Sequence, residues 1–356
     1  MKYTSKVFLT VAGVLLALSC FAQDTAKNNN LTFSGFIDAY YQYDFDNPAS
    51  RLRPSFLYNY KKHNEFNVNL AVIKAAYINK KIRANIALMV GNYAQYNLAA
   101  EPANAQHIYE ANVGYNISDK ISIDAGILPS HIGLETAISK DNWNLSRSIL
   151  AENTPYYETG IKVTYSPNTK WTTAFLILNG WQNIQETNSN KAIGTQVLYK
   201  PNAKWLFNSS TFFGNEKPDS TKQLRLFHNF YTTYIISKKL NTALLFDIGA
   251  EKKINFPGYN TWFGAALLLQ YNINSKISSA FRVEHYNDKK GAIVSVNTRN
   301  GFQTFGYSCN LDYKPVENIL FRTEARLFNA KDKIFLKDGV QKNNNYSLLA
   351  SMEVCF

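Results

Sequence analysis

Three features of the 356-residue sequence predict an all-β fold, a transmembrane antiparallel up-and-down β-barrel of about 16 strands, with 14–18 as the range. The first is the closing stretch. Phe356, Val354, Met352, Ala350, Leu348 and Tyr346 fall on one face, and Cys355, Glu353, Ser351, Leu349 and Ser347 on the other. Successive strand side chains point to opposite faces, so this is a strand with one apolar and one mostly polar side. Aromatics at both ends of the apolar face suit a bilayer crossing, although a soluble β-sandwich also closes on such a strand. The second feature is a rhythm. Alternating segments of about ten to fourteen residues are joined by short turns and longer polar connections in strict alternation. The third is composition: aromatics make up 14%, with 23 Tyr and 23 Phe, yet they are spread thinly instead of gathered in apolar blocks. That is how a membrane barrel carries its lipid face.

Taken in order, Met1–Ala22 reads as a secretory signal peptide. Lys2 and Lys6 form the basic start, Val7–Leu18 the apolar run, and Cys20-Phe21-Ala22 the cleavage region. The run is too short to span a membrane as a helix. Residues 23–30 are a short polar lead, and 31–356 the barrel. The short turns are Asn79–Lys81, Ser118–Lys120, Ser166–Lys170, Pro201–Lys204, Ser237–Lys239, Asn274–Lys276 and Lys314–Asn318. Six of the seven end in Lys, followed at once by an apolar residue. The longer connections are 44–62, 97–105, 131–155, 182–190, 215–223, 252–258, 288–299 and 330–343. Seven turns and eight loops imply 16 strands with both ends on the short-turn side, which is periplasmic in bacterial outer-membrane barrels.

The first strand, 31–43, sets Leu31, Phe33, Gly35, Ile37, Ala39, Tyr41 and Tyr43 toward lipid and Asp38 inward. The third, 82–93, turns Leu88 out and Arg83, Asn85 and Met89 in. In the tenth, from Leu224, the residues Phe227, Phe230, Tyr231 and Tyr234 do not share a face. Arg282 and Glu284 of the thirteenth strand, and Arg322, Glu324 and Arg326 of the fifteenth, point inward. An arginine in mid-bilayer costs roughly 2–4 kcal/mol, so these charges belong to a lumen wall.

Removing Lys2 and Lys6 lowers the formal charge from +12 to +10. No block of five or more basic residues and no RNA-binding aromatic motif accompanies it, so nucleic acid is not an expected partner. Cys309 and Cys355 fall on opposite faces and are expected to be free thiols. The five histidines lack metal-ligand spacing, and nothing asks for a cofactor. His131 with Ser146 or Ser148 is the one local hydrolase-like combination, and the expectation is a protein that is not an enzyme.

Ser34–Phe45, Arg53-Pro54 and Asn64–Leu70, then Asp124–Gly133, Asp141-Asn142-Trp143, Ser146-Arg147-Ser148 and Glu152–Tyr157, resemble the OmpL-like β-barrel porins of the bacterial outer membrane. The resemblance is best over residues 31–165. It implies fold and location more than substrate. The terminal Phe356 is similar to the signal such barrels present to their assembly machinery, which makes that machinery and outer-membrane lipid expected partners.

Loop 131–155 is the longest connection, and Leu134, Ile138, Trp143, Leu145, Ile149 and Leu150 would not remain in water. An inward fold is expected, with a turn or two of helix over 141–150 capped by Asp141 or Asn142. By analogy with the third loop of general porins, Glu135, Lys140, Asp141, Arg147 and Glu152 would line a constriction facing Arg282, Arg322 and Arg326. The expected function is a water-filled channel for passive diffusion of small hydrophilic solutes. A structural or adhesive barrel without conductance is the alternative. Barrels near 16 strands leave an aqueous channel, which favours the former. Solute identity, ion preference and oligomeric state are not legible.

Overall fold

The computed structural model describes residues 30–356; the predicted signal segment 1–22 and all but the last residue of the polar lead lie outside the described residues. The first strands are β1 (Leu31–Asp44), β2 (Phe66–Ile78), β3 (Ile82–Val90), β4 (Ile108–Asn116), β5 (Ile121–Pro129), β6 (Tyr157–Asn168), β7 (Trp171–Leu178) and β8 (Ala192–Asn202). They continue with β9 (Trp205–Asn215), β10 (Leu224–Ile235), β11 (Leu240–Lys252), β12 (Tyr259–Asn272), β13 (Ile277–Asp288), β14 (Phe302–Val316) and β15 (Ile319–Ala330). A small hairpin, β16 (Phe335–Lys337) with β17 (Val340–Lys342), decorates the last outer loop before β18 (Asn344–Cys355). Sixteen of these strands pair with their neighbours into one closed antiparallel barrel, the number the turn-and-loop rhythm predicts.

Closure joins the first strand to the last. Asp38 lies opposite Glu353 and Asp44 opposite Ser347 in the β1–β18 ladder. Past its end, Gly35 and Phe356 exchange backbone hydrogen bonds at 2.7 and 3.1 Å. A Cβ on Gly35 would stand 2.3 Å from the Phe356 ring. The glycine thus leaves the notch in which the terminal aromatic lies, its outer face still exposed.

The predicted alternation holds. Leu88 is half exposed toward lipid while Met89 is buried, and Leu244, Phe246 and Ile248 face out around an inward Asp247. The β10 ambiguity resolves by phase: Phe227 and Tyr231 point inward, and Tyr234 packs outside on Trp205 with ring centroids 4.1 Å apart. Cys309 and Cys355 are both free.

One strand boundary needs correction. β3 ends at Val90, short of 93, because Gly91 takes φ 117° and its missing Cβ would meet the Asn69 carbonyl at 2.6 Å. A helical turn, α1 (Asn92–Asn97), follows and turns Tyr93 inward. Apolar side chains also line part of the lumen. Phe36, Leu70, Val72, Met89, Tyr93 and Leu98 form one apolar cluster inside it. A larger cluster joins Phe56 and Leu57 of the first outer loop, and Ile132, Ile149 and Leu150 of the third, to wall residues such as Phe212, Phe227, Trp262, Phe302 and Phe328. Inward apolar residues on the strands are explained by the outer loops that fold against them and supply partners such as Phe56, Tyr93, Leu98 and Ile149.

Candidate functional site

The third outer loop, 130–156, enters the barrel and is pinned to its wall at points from His131 to Ile149. At its start His131 is clasped: Nδ1 lies 2.8 Å from a Glu158 carboxylate oxygen and Nε2 2.9 Å from the Thr211 carbonyl. Two acceptors facing both ring nitrogens call for the imidazolium. Burial pushes this histidine's pKa down, but the Glu158 charge and hydrogen bond reverse that and raise it. Further on, Gly133 N–H donates to Asn229 at 3.2 Å.

The descent reaches the wall charges singled out by sequence. Ser139 Oγ donates to Asp38 at 3.0 Å, and its carbonyl accepts from Arg322 at 2.6 Å. Arg322 also donates to the carbonyls of Asn142 and Trp143, both at 3.0 Å, while its own wall partner is Asp312 at 2.9 Å. On the return, Ser146 N–H donates to Glu324 at 2.9 Å and Ile149 N–H to Glu284 at 2.5 Å. Arg282, wholly buried, donates to the Ser146 carbonyl at 2.6 Å and Ser308 Oγ at 3.0 Å, and pairs with Glu135 at 3.2 Å. Arg326 bridges Glu284 at 2.6 Å and Ser146 Oγ at 3.0 Å. Six of the seven predicted wall residues therefore contact this loop. The seventh, Arg83, pairs with Asp124 at 2.6 Å elsewhere on the wall.

The predicted loop residues divide. Glu135 accepts from Ser148 N–H at 3.1 Å, and Glu152 accepts from Tyr58 N–H at 2.7 Å in the first outer loop. Burial raises the pKa of both carboxyls. Arg147 is fully buried and donates to the carbonyls of Thr136, at 2.9 Å, and Ala137. It stiffens the loop from within and faces no open water here. Lys140 and Asp141 are exposed and pair with each other at 2.7 Å. The predicted helix is shorter than expected: a 3-10 turn at Ser139–Asp141 and α2 (Ile149–Glu152), capped by Ser148 accepting from Ala151 N–H, not by Asp141 or Asn142. A buried carboxylate network had claimed the chain between them. The hydrolase-like combination is not assembled, since His131 holds Glu158, Ser146 holds Glu324, and Ser148 holds Glu135.

Sequence reasoning placed a connection at 44–62 but missed that this first outer loop, 45–65 in the structure, also folds inward. Tyr60 Oη donates to Asp38 at 2.7 Å, and the Arg147 guanidinium lies 5.7 Å over the Tyr60 ring. The run Phe56-Leu57-Tyr58-Asn59-Tyr60 carried the same signal as loop 131–155, an apolar stretch too rich for water. A cavity of about 10 Å³, room for one water, lies between the two loops and the wall, lined by Arg53, Tyr60, Glu152, Glu324 and Arg326 among others. Above it opens an outer vestibule of about 860 Å³, whose floor includes Arg53, Asp44 and Phe56. Arg53 pairs with Asp44 at 3.1 Å, and burial lowers its pKa to about 10.

No curated protein matches the chain. Solved structures do match in fold. An anion-selective porin from Comamonas acidovorans is 9% identical, with 92% of this chain and 99% of that one covered and a TM-score of 0.61. Pseudomonas putida OprB is 8% identical over 92% and 94%, with a TM-score of 0.60. Salmonella typhi OmpF, solved with daunomycin, is 12% identical over 92% and 99%, also at 0.60. The family described as "Putative beta-barrel porin-2, OmpL-like" matches residues 30–356. With a closed 16-stranded barrel, a charged inner wall and a family match over the whole described chain, this protein is an outer-membrane β-barrel porin of that OmpL-like family.

Proposed function

We propose that the barrel passes small hydrophilic solutes by passive diffusion, entering through the outer vestibule and over Arg53, with loop 130–156 as the element that sets the bore. The observation that carries this is the loop's anchorage. It is held by hydrogen bonds and ion pairs to a charged stretch of the wall, so its displacement brings Arg282, Arg322 and Glu284 into contact with water beside the apolar patch that Ile149 and Leu150 cover. Glu135 and Glu152 would then join Arg282, Arg322 and Arg326 around the passage and bias ion preference by field focusing. Lys140 and Asp141 already meet water at the loop's tip. No chemical step is assigned to the protein.

Export by segment 1–22 and a role for Phe356 in recognition by the assembly machinery belong to the same reading. The ring is 65% exposed on the lipid side of the closing seam, where a folding catalyst would meet it.

The test is single-channel conductance in a planar bilayer, for the wild type and for a deletion of 138–150. A channel predicts discrete conductance in the wild type and a larger one in the deletion. A folded barrel that conducts in neither form is the structural or adhesive alternative. Arg147→Glu would place an unpaired carboxylate inside the loop and undock it, so a change in its reversal potential would report opening as much as selectivity.

A further inference from the structure

The short turns share a construction that solute passage does not require. In six of them the side chain two residues before the lysine, Asn79, Ser118, Asn168, Asn202, Ser237 or Asn274, accepts two backbone N–H bonds at 2.7–3.3 Å. The donors are the lysine two residues on and the apolar residue after it. The lysines are Lys81, Lys120, Lys170, Lys204, Lys239 and Lys276, all exposed. Each lysine's carbonyl in turn accepts a backbone N–H from the next hairpin at 2.7–3.0 Å. Every one is therefore fixed on both sides, and the set runs around the rim at one lysine per two strands, about 10 Å apart.

The charge is one-sided. The seven turns carry nine lysines and two acids, Asp119 and Glu317. None of the six fixed lysines has an ion-pair partner among the described residues. The residue after each lysine opens a strand on its lipid-facing side: Ile82, Ile121, Trp171, Trp205, Leu240 and Ile277. Beside them runs an aromatic belt, with Trp171 stacked on Tyr199 and Trp205 on Tyr234, both at 4.1 Å. Aromatics of this kind sit at headgroup depth, and a lysine one residue further out reaches the phosphates with its stem along the apolar surface.

We propose that this rim is a binding ring for the phosphate groups of anionic phospholipids in the leaflet that the short turns face. A lipid annulus fits better than a single docked protein, because the charges are spaced around the rim and not gathered on one side. The attraction is electrostatic and weakens with salt.

The protein carries its own probe. Trp171 and Trp205 lie on this rim, whereas Trp143, Trp181 and Trp262 are inside the barrel. Barrels are folded into phosphatidylcholine vesicles containing the same mole fraction of either phosphatidylglycerol or phosphatidylcholine brominated in the acyl chain, and tryptophan quenching is compared. The expected result is stronger quenching by the brominated anionic lipid, reduced by salt. The excess should be lost when all six lysines become Gln and kept when they become Arg. Circular dichroism and heat-modifiable migration check that each variant is folded. Equal quenching by both lipids in the wild type, or an excess that survives the six Lys→Gln changes, overturns the proposal. So does lysine-dependent binding to purified peptidoglycan without any lipid preference, which would make an acidic wall polymer the partner.

Discussion

Arg282→Met is the substitution that most directly probes whether loop 130–156 is held by the wall. Arg282 has no solvent exposure and binds the loop through the Ser146 carbonyl at 2.6 Å and Glu135 at 3.2 Å. Removing one partner of a buried ion pair costs about 3–5 kcal/mol, because the charge left behind has lost its water and its counter-ion. Two compensations favour the lower end. Glu284 keeps Arg326 at 2.6 Å, and Glu135 keeps the Ser148 N–H at 3.1 Å. The cost falls on the docked loop, since an undocked loop returns Glu135 and the wall to water. Taking about 3 kcal/mol, at 1.4 kcal/mol per factor of ten, the undocked fraction rises roughly 100-fold. Leu145, fully buried between Tyr40, Tyr60 and Leu349, is the reporter. With Cys309 and Cys355 replaced by Ala, a single Leu145→Cys is labelled by a maleimide in folded barrels with and without Arg282→Met. The rate should rise by about two orders of magnitude, in proportion to the undocked population. A rate within threefold of the parent in a barrel that still migrates as folded would show that the loop is not held by this arginine.

Three further outcomes follow from the geometry. Gly35→Val should displace the Phe356 ring from its notch and lower the yield of heat-modifiable barrel without blocking export, as deletion of Phe356 should; normal insertion of both variants would refute the role given to this seam. Leu88→Arg should cost roughly 2–4 kcal/mol near the midplane, and Met89→Arg should be destabilising too although Met89 faces inward, because Met89 packs with Tyr93 and Leu98 and an unpaired charge would be buried there. Urea unfolding from bilayers that leaves Met89→Arg as stable as wild type would contradict that cluster. Raising pH should loosen the loop. The buried carboxyls of Glu135 and Glu152 lie above the ordinary 4.5, and His131, with Glu158 outweighing burial, lies above 6.5. Each holds its proton more tightly when docked, so docking is strongest below those ordinary values and is lost as pH climbs through the raised ones. Conductance should increase with pH from about 4.5 for the carboxyls and again above 6.5 for the imidazole. A flat or falling profile argues against it.

The barrel itself was legible because its signals are local. Period-two alternation and the alternation of short turns with long loops are set residue by residue, and 16 strands follow by counting. The inward phase of Asp38, Arg282, Glu284, Arg322, Glu324 and Arg326 needed only the price of a charge in lipid. The inward fold of loop 131–155 was legible for a similar reason, since its apolar residues had to leave water. Which atoms it would meet was not. Contacts such as Ser139 with Asp38 and Ser146 with Glu324 span 101 and 178 residues. They depend on where two chain segments fall after closure, and no periodicity encodes that. Arg147 shows the limit most clearly: as a charge in a pore loop it read as a lining residue, yet the folded loop turns it onto the carbonyls of Thr136 and Ala137. The sequence alone determined the wall and which residues face into it. Only the tertiary structure decided that the first and third outer loops meet there, because a buried charge settles where its hydrogen bonds are completed, and those partners came together only when the barrel closed.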